Sequence, residues 1–464
     1  MKNKSPNKII LLFFFLVIVP LVGAISLGFI NFGSKHSYQE NVLDVAFTWG
    51  DDPEAVQEFF GEFESSLDLP LVVDTRLRED DVDELLSSEN PPDVIVLSTS
   101  ELVSQYQAAG TLTALDDVLD PRANDIDDYF PASISQCQTE DGLICLPWGN
   151  DVLALFWNKD LFAAAGLDPE SPPRSLAELS AMAEALNIYN SESGEFEQVG
   201  FLPDFPRSHL GLFTHLNGGS WPAAEQITSP GNLDQSILNA ISWELSFTQA
   251  HDLEALNDFS AAVNNYRNSG HPVFAERRAN CQQCHRTSPG SSEKMPDHAF
   301  YNQQVAMMVD GQWQESQGYL LQFAPELNYG VAPVPASSEG SALTGSSVIQ
   351  GPVVIIPAAA KDASAAAEFV SWLLAPETIA ESSRAFGFLP TRESAAALMA
   401  DQTFTHLDLF LSMLRHPNTT AFPSALASEQ INAIMTDAEK TTLHNEPALD
   451  TFLAEYEDEL SQGN

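Results

Sequence analysis

The chain has 464 residues, 44% hydrophobic and 18% charged, so it is too long for one ordinary core and too apolar to stay disordered. Two lobes of domain size are the expectation. Acidic residues outnumber basic ones 65 to 20, a net charge of −45, and a field of that sign repels nucleic acid and anionic lipid while keeping the surface solvated.

Lys2, Lys4 and Lys8 precede an apolar stretch from Ile9 to Ile30, interrupted only by Pro20, Gly23, Ser26 and Gly28. Positive charge before an apolar core is the pattern of an export signal, so residues 1–35 read as a signal peptide or an N-terminal membrane anchor. Val22 and Ala24 suit cleavage after Ala24, whereas the span of about 22 residues from 9 to 30 also suffices to cross a bilayer. Either way the positive-inside rule leaves the rest of the chain on the periplasmic or extracellular face. Disulfides are permitted there, and Cys137 and Cys145 flank the turn signal Asp141-Gly142, so a bridged hairpin is expected.

Leu43, Val45, Phe47 and Trp49 alternate with smaller or polar residues and predict a strand. Glu54 to Phe63 follows as a helix with Val56, Phe59, Phe60 and Phe63 on one side, and Val72-Val73 marks a second short strand. Asp93-Val94-Ile95-Val96-Leu97 is a continuous apolar run of the kind found in parallel strands buried on both faces. Beyond residue 150 the pattern reads as more helical. Ser175-Leu176-Ala177-Glu178 is a capping box, in which the serine accepts from a free helix N–H and the glutamate reaches back. Val353-Val354-Ile355-Ile356 is a strand ending at Pro357. Ala366, Phe369, Val370, Leu373 and Leu374 then form one helical stripe, closed at Pro376-Glu377. The last hundred residues read as further helices with acidic outer faces.

Four segments in order resemble the extracellular solute-binding proteins of ABC importers, in their maltose-binding-like branch. The first is Pro92-Asp93-Val94-Ile95 with Ala109-Gly110-Thr111-Leu112-Thr113-Ala114-Leu115. The second is Gly142-Leu143-Ile144-Cys145-Leu146-Pro147-Trp148, running on to Phe156-Trp157-Asn158-Lys159-Asp160-Leu161-Phe162 and Ala165-Gly166-Leu167. The third is Ala299-Phe300-Tyr301 through Val305-Ala306-Met307-Met308 to Gly311-Gln312-Trp313. The fourth runs from Ala366-Ala367-Glu368-Phe369 to Gly387-Phe388-Leu389-Pro390-Thr391-Arg392.

The resemblance implies an α/β, two-lobed periplasmic-binding-protein fold (type II, maltose-binding-like) with the ligand cleft between lobes. Lobe one would comprise 41–153 plus 354–395, and lobe two 154–350 plus 400–464. Hinge closure would capture the solute, and the closed form would dock on a membrane permease served by a cytoplasmic ATPase.

A pyranose has an apolar C–H face and a hydroxyl rim, so a carbohydrate site pairs aromatic faces with polar groups. Trp49, Trp148, Trp221 and Trp313 occupy loop or strand-end positions, where function concentrates. Asp51, Asn150, Asp151, Asp310, Ser346 and Ser347 stand beside them or at corresponding loop ends and are the candidate hydroxyl partners. For each tryptophan a plain core role is the alternative, and Trp243 and Trp372, inside helical stripes, are read as core. Basic residues are sparse, which disfavours a phosphate ester, although Arg207, Arg384 or Arg392 could reach the cleft.

Residues 265–298 form an insertion that the resemblance does not require. Cys281-Gln282-Gln283-Cys284-His285 matches the attachment pattern of haem c, with Met295 as a candidate second axial ligand. Cys281, Cys284, His285 and His298 could instead hold zinc, and a Cys281–Cys284 disulfide or a structural insertion is the plain reading. Solute binding itself calls for no cofactor. The rival functional class is accordingly a periplasmic haem- or metal-bearing redox or sensor module on the same scaffold. Nothing points to an enzyme: there is no phosphate-loop Gly-Lys-Ser/Thr, no Gly-x-Ser-x-Gly and no His-Glu-x-x-His, and the spacing of His209 and His215 reads as structural.

Overall fold

The computed structural model describes residues 42–48, 56, 58–61, 63, 70–75, 77–119, 125–139, 142–219, 235–249, 253–268, 298–399 and 404–422. Strands β1 (Leu43–Phe47), β2 (Leu71–Asp74) and β3 (Val94–Leu97) are parallel neighbours, in the order β2-β1-β3. A two-stranded hairpin follows, β4 (Gln138–Thr139) and β5 (Gly142–Leu143), and then β6 (Leu146–Pro147). The expected bridge is present: Cys137 and Cys145 are disulfide-bonded across that hairpin.

The chain next builds a second sheet from β7 (Asp151–Asn158), β8 (Ile188–Asn190), β9 (Glu195–Phe201), β10 (Val305–Gly311), β11 (Tyr329–Ala332) and β12 (Val348–Gln350). It returns to the first sheet as β13 (Val353–Ile355), which lies antiparallel between β3 and β6. A further strand, β14 (Thr420–Ala421), closes the second sheet beside β12. Among the described residues the first sheet thus has five strands in the order β2-β1-β3-β13-β6. The second has seven, in the order β14-β12-β7-β10-β9-β8 with β11 also on β7.

Side-chain alternation explains why β3 is apolar throughout. Val94 and Val96 enter one core cluster with β1 and the helix side chains Phe60 and Phe369, while Ile95 and Leu97 enter another with Tyr106 and Ile144. The carboxylate of buried Asp93 joins three segments, accepting from the backbone N–H groups of Asp44 (3.0 Å), Lys361 (3.0 Å) and Asp362 (3.2 Å). The described positions of the expected helix over 54–63 are helical, with Val56, Phe60 and Phe63 buried.

Four further elements matter below: α1 (Leu176–Leu186), α2 (Trp313–Ser316), α3 (Ala363–Leu373) and α4 (Pro376–Phe386). The stripe on α3 and the turn after it is buried as its spacing predicts. At α1 the cap is half as expected. Ser175 Oγ accepts from Glu178 N (3.1 Å), but the Glu178 carboxylate accepts from Arg174 N (2.8 Å), one residue before the cap. The Arg174 guanidinium, also bonded to Glu178 at 2.8 Å, draws the carboxylate there.

The larger departure is the second sheet, where the sequence reads as helical beyond residue 150. β10, Val-Ala-Met-Met-Val-Asp-Gly, is buried along its whole length, so no polar face marks its period. Among the described residues no helix is long and apolar enough to cross a membrane. The export segment 1–35 lies outside them, as do Cys281, Cys284, His285 and Met295 of the insertion.

Candidate functional site

Three chain segments run side by side where the polypeptide leaves one sheet for the other: 148–150, 351–352 and 387–391. Trp148 N and Gly149 N donate to Pro352 O at 2.9 and 3.2 Å. Asn150 and Leu389 exchange backbone hydrogen bonds of 2.9 and 2.8 Å, and Asn150 Nδ2 donates to Pro390 O at 2.8 Å. The approach is too close for side chains at two glycines. A Cβ on Gly149 would meet the Phe388 ring, and one on Gly351 would meet the Gly149 carbonyl.

Beside this crossing, the end of β10 carries a polar cluster. Asp310 is 2% exposed; one oxygen accepts from Gly311 N (2.9 Å) and from the Arg207 guanidinium (3.5 Å), the other from Gln314 Nε2 (2.8 Å). Arg207 keeps 43% of its side chain exposed, and its guanidinium carbon stands 4.7 Å from the Trp313 ring centroid. The indole lies against the Gly311 backbone, where no Cβ would fit. Gln312 is fully buried. Its Oε1 accepts from Val152 N (2.9 Å), and its Nε2 donates to Asp151 Oδ1 (2.5 Å) and to Gly387 O (3.4 Å).

Desolvation pushes the Asp151 carboxyl up to about 6, with the Asp310 charge adding to the rise and the Gln312 bond and Arg207 opposing it. Two carboxylates, one arginine already paired, two amide side chains and one partly exposed indole therefore meet at the crossing. Such a set offers acceptors for hydroxyl hydrogens, a donor fork and an aromatic surface.

Of the ten candidate ligand residues, the structure brings together Asp151, Asp310 and Trp313. Trp148 is fully buried among Phe47, Phe60, Phe386 and Phe388, at centroid distances of 5.0 to 6.3 Å. It supports the crossing from inside the core and offers no surface to a ligand in this conformation. Asn150, Ser346 and Ser347 are likewise fully buried and turned inward. Asn150 joins the crossing strands, Ser346 Oγ meets His215 Nε2 at 3.0 Å, and Ser347 Oγ donates to Leu153 O at 3.2 Å. Trp49, Asp51 and Trp221 lie outside the described residues.

Of the three arginines, Arg207 alone is in the cluster. Arg384 donates to Leu398 O (2.5 Å), and Arg392 is buried against Asp128 (2.6 Å). Neither Gln312 nor Gln314 is among the candidate ligand residues; the signal available was Gly311-Gln312-Trp313, which closes the third resemblance segment, with Gln314 directly after it. Among the described residues no group of three His, Cys, Asp or Glu side chains is arranged to hold a metal, and His298 stacks on Tyr301 at 4.1 Å.

Two α/β sheets joined by crossing segments, with a polar and aromatic cluster at the joint, define a two-lobed binding protein. The match to a family model extends over residues 62–407, and the chain belongs to the bacterial extracellular solute-binding protein family. Solved structures share the fold. CpMnBP1 with mannotriose bound superposes with a TM-score of 0.71 at 23% identity, covering 91% of this chain and 100% of that one. The sugar-binding protein MalE of Xanthomonas citri gives 0.64 at 18% identity, covering 90% and 96%. UgpB from Mycobacterium tuberculosis in complex with glycerophosphocholine gives 0.61 at 18%, covering 91% and 98%. The fold is thus the two-lobed, maltose-binding-like periplasmic-binding-protein fold.

Among curated relatives, the sn-glycerol-3-phosphate-binding periplasmic protein UgpB of Pectobacterium atrosepticum is 24% identical over 270 residues, 56% of this chain and 51% of that protein. Its Escherichia coli K12 counterpart is 23% identical over 264 residues, 56% and 52%. The chain spans about half the length of the curated relatives it matches.

Proposed function

We propose that the chain is a binding protein and not an enzyme, and that it captures a neutral mono- or oligosaccharide for an ABC importer. The observation that carries the choice of ligand is the charge at the crossing. Among the described residues Arg207 is the single cation of the cluster and already faces Asp310, with Asp151 close enough to feel both. A phosphate ester brings negative charge and needs uncompensated cations or free N–H groups. A pyranose needs polar partners for its hydroxyls and an aromatic surface for its C–H face; Asp151, Arg207 and Trp313, each partly exposed, supply that set, with buried Asp310, backed by Gln314, holding Arg207 from behind. The sugar-bound neighbours favour the same reading, while the glycerophosphate-binding relatives mark the competitor.

In this reading lobe one comprises about 41–153 plus 354–395 and lobe two about 154–350 plus 400–464, the sheets themselves changing over at Asp151 and Val353, and the lobes close about the crossing segments. The loaded form then docks on the permease from the outer face of the membrane, with residues 9–30 as its anchor if they are not removed. The test is calorimetric titration and thermal unfolding with mannobiose, mannotriose, maltose, sn-glycerol 3-phosphate and glycerophosphocholine. A sugar at ~100 times its dissociation constant adds about 2.7 kcal/mol. We expect a raised midpoint with one sugar class, lost in Trp313→Ala and Arg207→Ala. Stabilisation by the phosphates alone would overturn the neutral-saccharide reading.

A further inference from the structure

The end of α4 is held from an unexpected direction. A helix C-terminus leaves carbonyls without intrahelical partners, and these carry the negative end of its dipole. At α4 those of Phe386 and Gly387 are met by side chains that follow β10. Gln312 Nε2 donates to Gly387 O (3.4 Å), Ser316 Oγ donates to the same oxygen, and Gln317 Nε2 donates to Phe386 O (3.2 Å). Gly387 sits in the left-handed region at φ +80°, and a Cβ there would press on Gln317 Cγ at 2.5 Å and Ser316 Oγ at 3.0 Å.

The helix that provides this grip, α2, opens with Trp313, the indole of the candidate site. Gln312 also bonds Asp151 and Val152 at the start of β7, immediately after the 148–150 crossing. One buried amide therefore touches both a candidate ligand carboxylate and the α4 terminus packed on the first sheet's aromatic core, where Phe386 lies 5.7 Å from Trp148.

We propose that Gln312, with Ser316 and Gln317, forms a clasp on the α4 carbonyls, and that Gln312 is the positioning residue through which ligand contact at Trp313 and Asp151 changes the angle between the lobes. The proposal rests on the solute-capture reading for its ligand but not for the clasp, so the two can fail separately.

The experiment uses the full exported chain and three variants: Gln312→Ala, Gln312→Glu and the double variant Ser316→Ala/Gln317→Ala. Small-angle scattering reports the sugar-free radius of gyration, and calorimetry with mannobiose and mannotriose reports affinity from pH 5 to 8. A broken clasp gives a larger sugar-free radius in Gln312→Ala and in the double variant, and affinity weakened by about ten-fold, the size of one lost hydrogen bond at the upper end of its range.

Gln312→Glu keeps the acceptor for Val152 N–H but donates to Gly387 O only when protonated. Its affinity relative to wild type recovers towards pH 5, and that of Gln312→Ala does not. Asp151 on β7, Asp310 on β10 and Arg207 face this position in every variant; a glutamate at 312 titrates jointly with Asp151, so Gln312→Ala, which adds no ionisable group, is the reference against which its recovery is read. A merely structural Gln312 lowers the melting temperature and leaves radius and pH profile unchanged, which overturns the proposal. If neither sugar binds wild type, the capture reading fails for them, and the sugar-free radii alone decide the clasp: an unchanged radius rejects it and an enlarged one upholds it.

Discussion

Replacing Asp151 by Asn tests the electrostatics of the site directly. The ordinary carboxyl value is 3.8 and the folded one about 6, because burial and the neighbouring Asp310 disfavour the anion. The folded form thus holds the proton more tightly than the unfolded chain. The stabilising contribution is complete below the unfolded value and is lost as pH rises through about 6. The displacement corresponds to about 3 kcal/mol at neutral pH, an upper figure because the residue keeps part of its surface exposed. An asparagine at this position carries no such charge and retains an oxygen to accept from Gln312. Urea unfolding of both proteins at intervals from pH 4 to 8 measures the difference. Asp151→Asn should gain on wild type by up to about 3 kcal/mol between pH 4 and 7, with the rest of the acidic surface cancelling in the comparison. A stability difference that stays flat across that range would refute the assignment of a raised, desolvated carboxyl.

Gly351→Ala should destabilise by about 2 kcal/mol, since the new Cβ meets the Gly149 carbonyl and neither backbone can yield without moving the crossing; urea unfolding checks it, and wild-type stability would show that the segments separate easily. Asp128→Ala leaves Arg392 buried without its carboxylate and should cost about 3 kcal/mol at pH 7. Burial tends to raise Asp128, but the two Ser394 hydrogen bonds and Arg392 outweigh it and hold the carboxyl below its ordinary value. The stability it supplies is therefore present above the unfolded value and fades as pH falls through the folded one, so the gap to Asp128→Ala in urea unfolding should narrow in acid.

The sequence by itself determined those features whose cause is local or periodic. β1 and β3 follow from apolar patterning, the α3 stripe from 3.6-residue spacing, the Ser175 cap from its hydroxyl, and the Cys137–Cys145 hairpin from two thiols around a turn. The family was legible in four ordered segments, and with it the two-lobed fold. The second sheet was not legible from periodicity, because strands buried on both faces lose the polar half of their alternation and β10 adds two methionines and an alanine of modest strand preference.

What only the tertiary structure decided is which of several equivalent-looking residues face a ligand. Trp148 and Trp313 both stand just beyond a Pro or Gly near a strand end. Four phenylalanines from distant parts of the chain enclose the first, while Gly311 and Arg207 leave the second partly open. The same holds for Gln312, whose neighbours Asp151 and Gly387 lie 161 and 75 residues away along the chain. Burial and charge environment are sums over such distant contacts, and no local pattern of residues contains them.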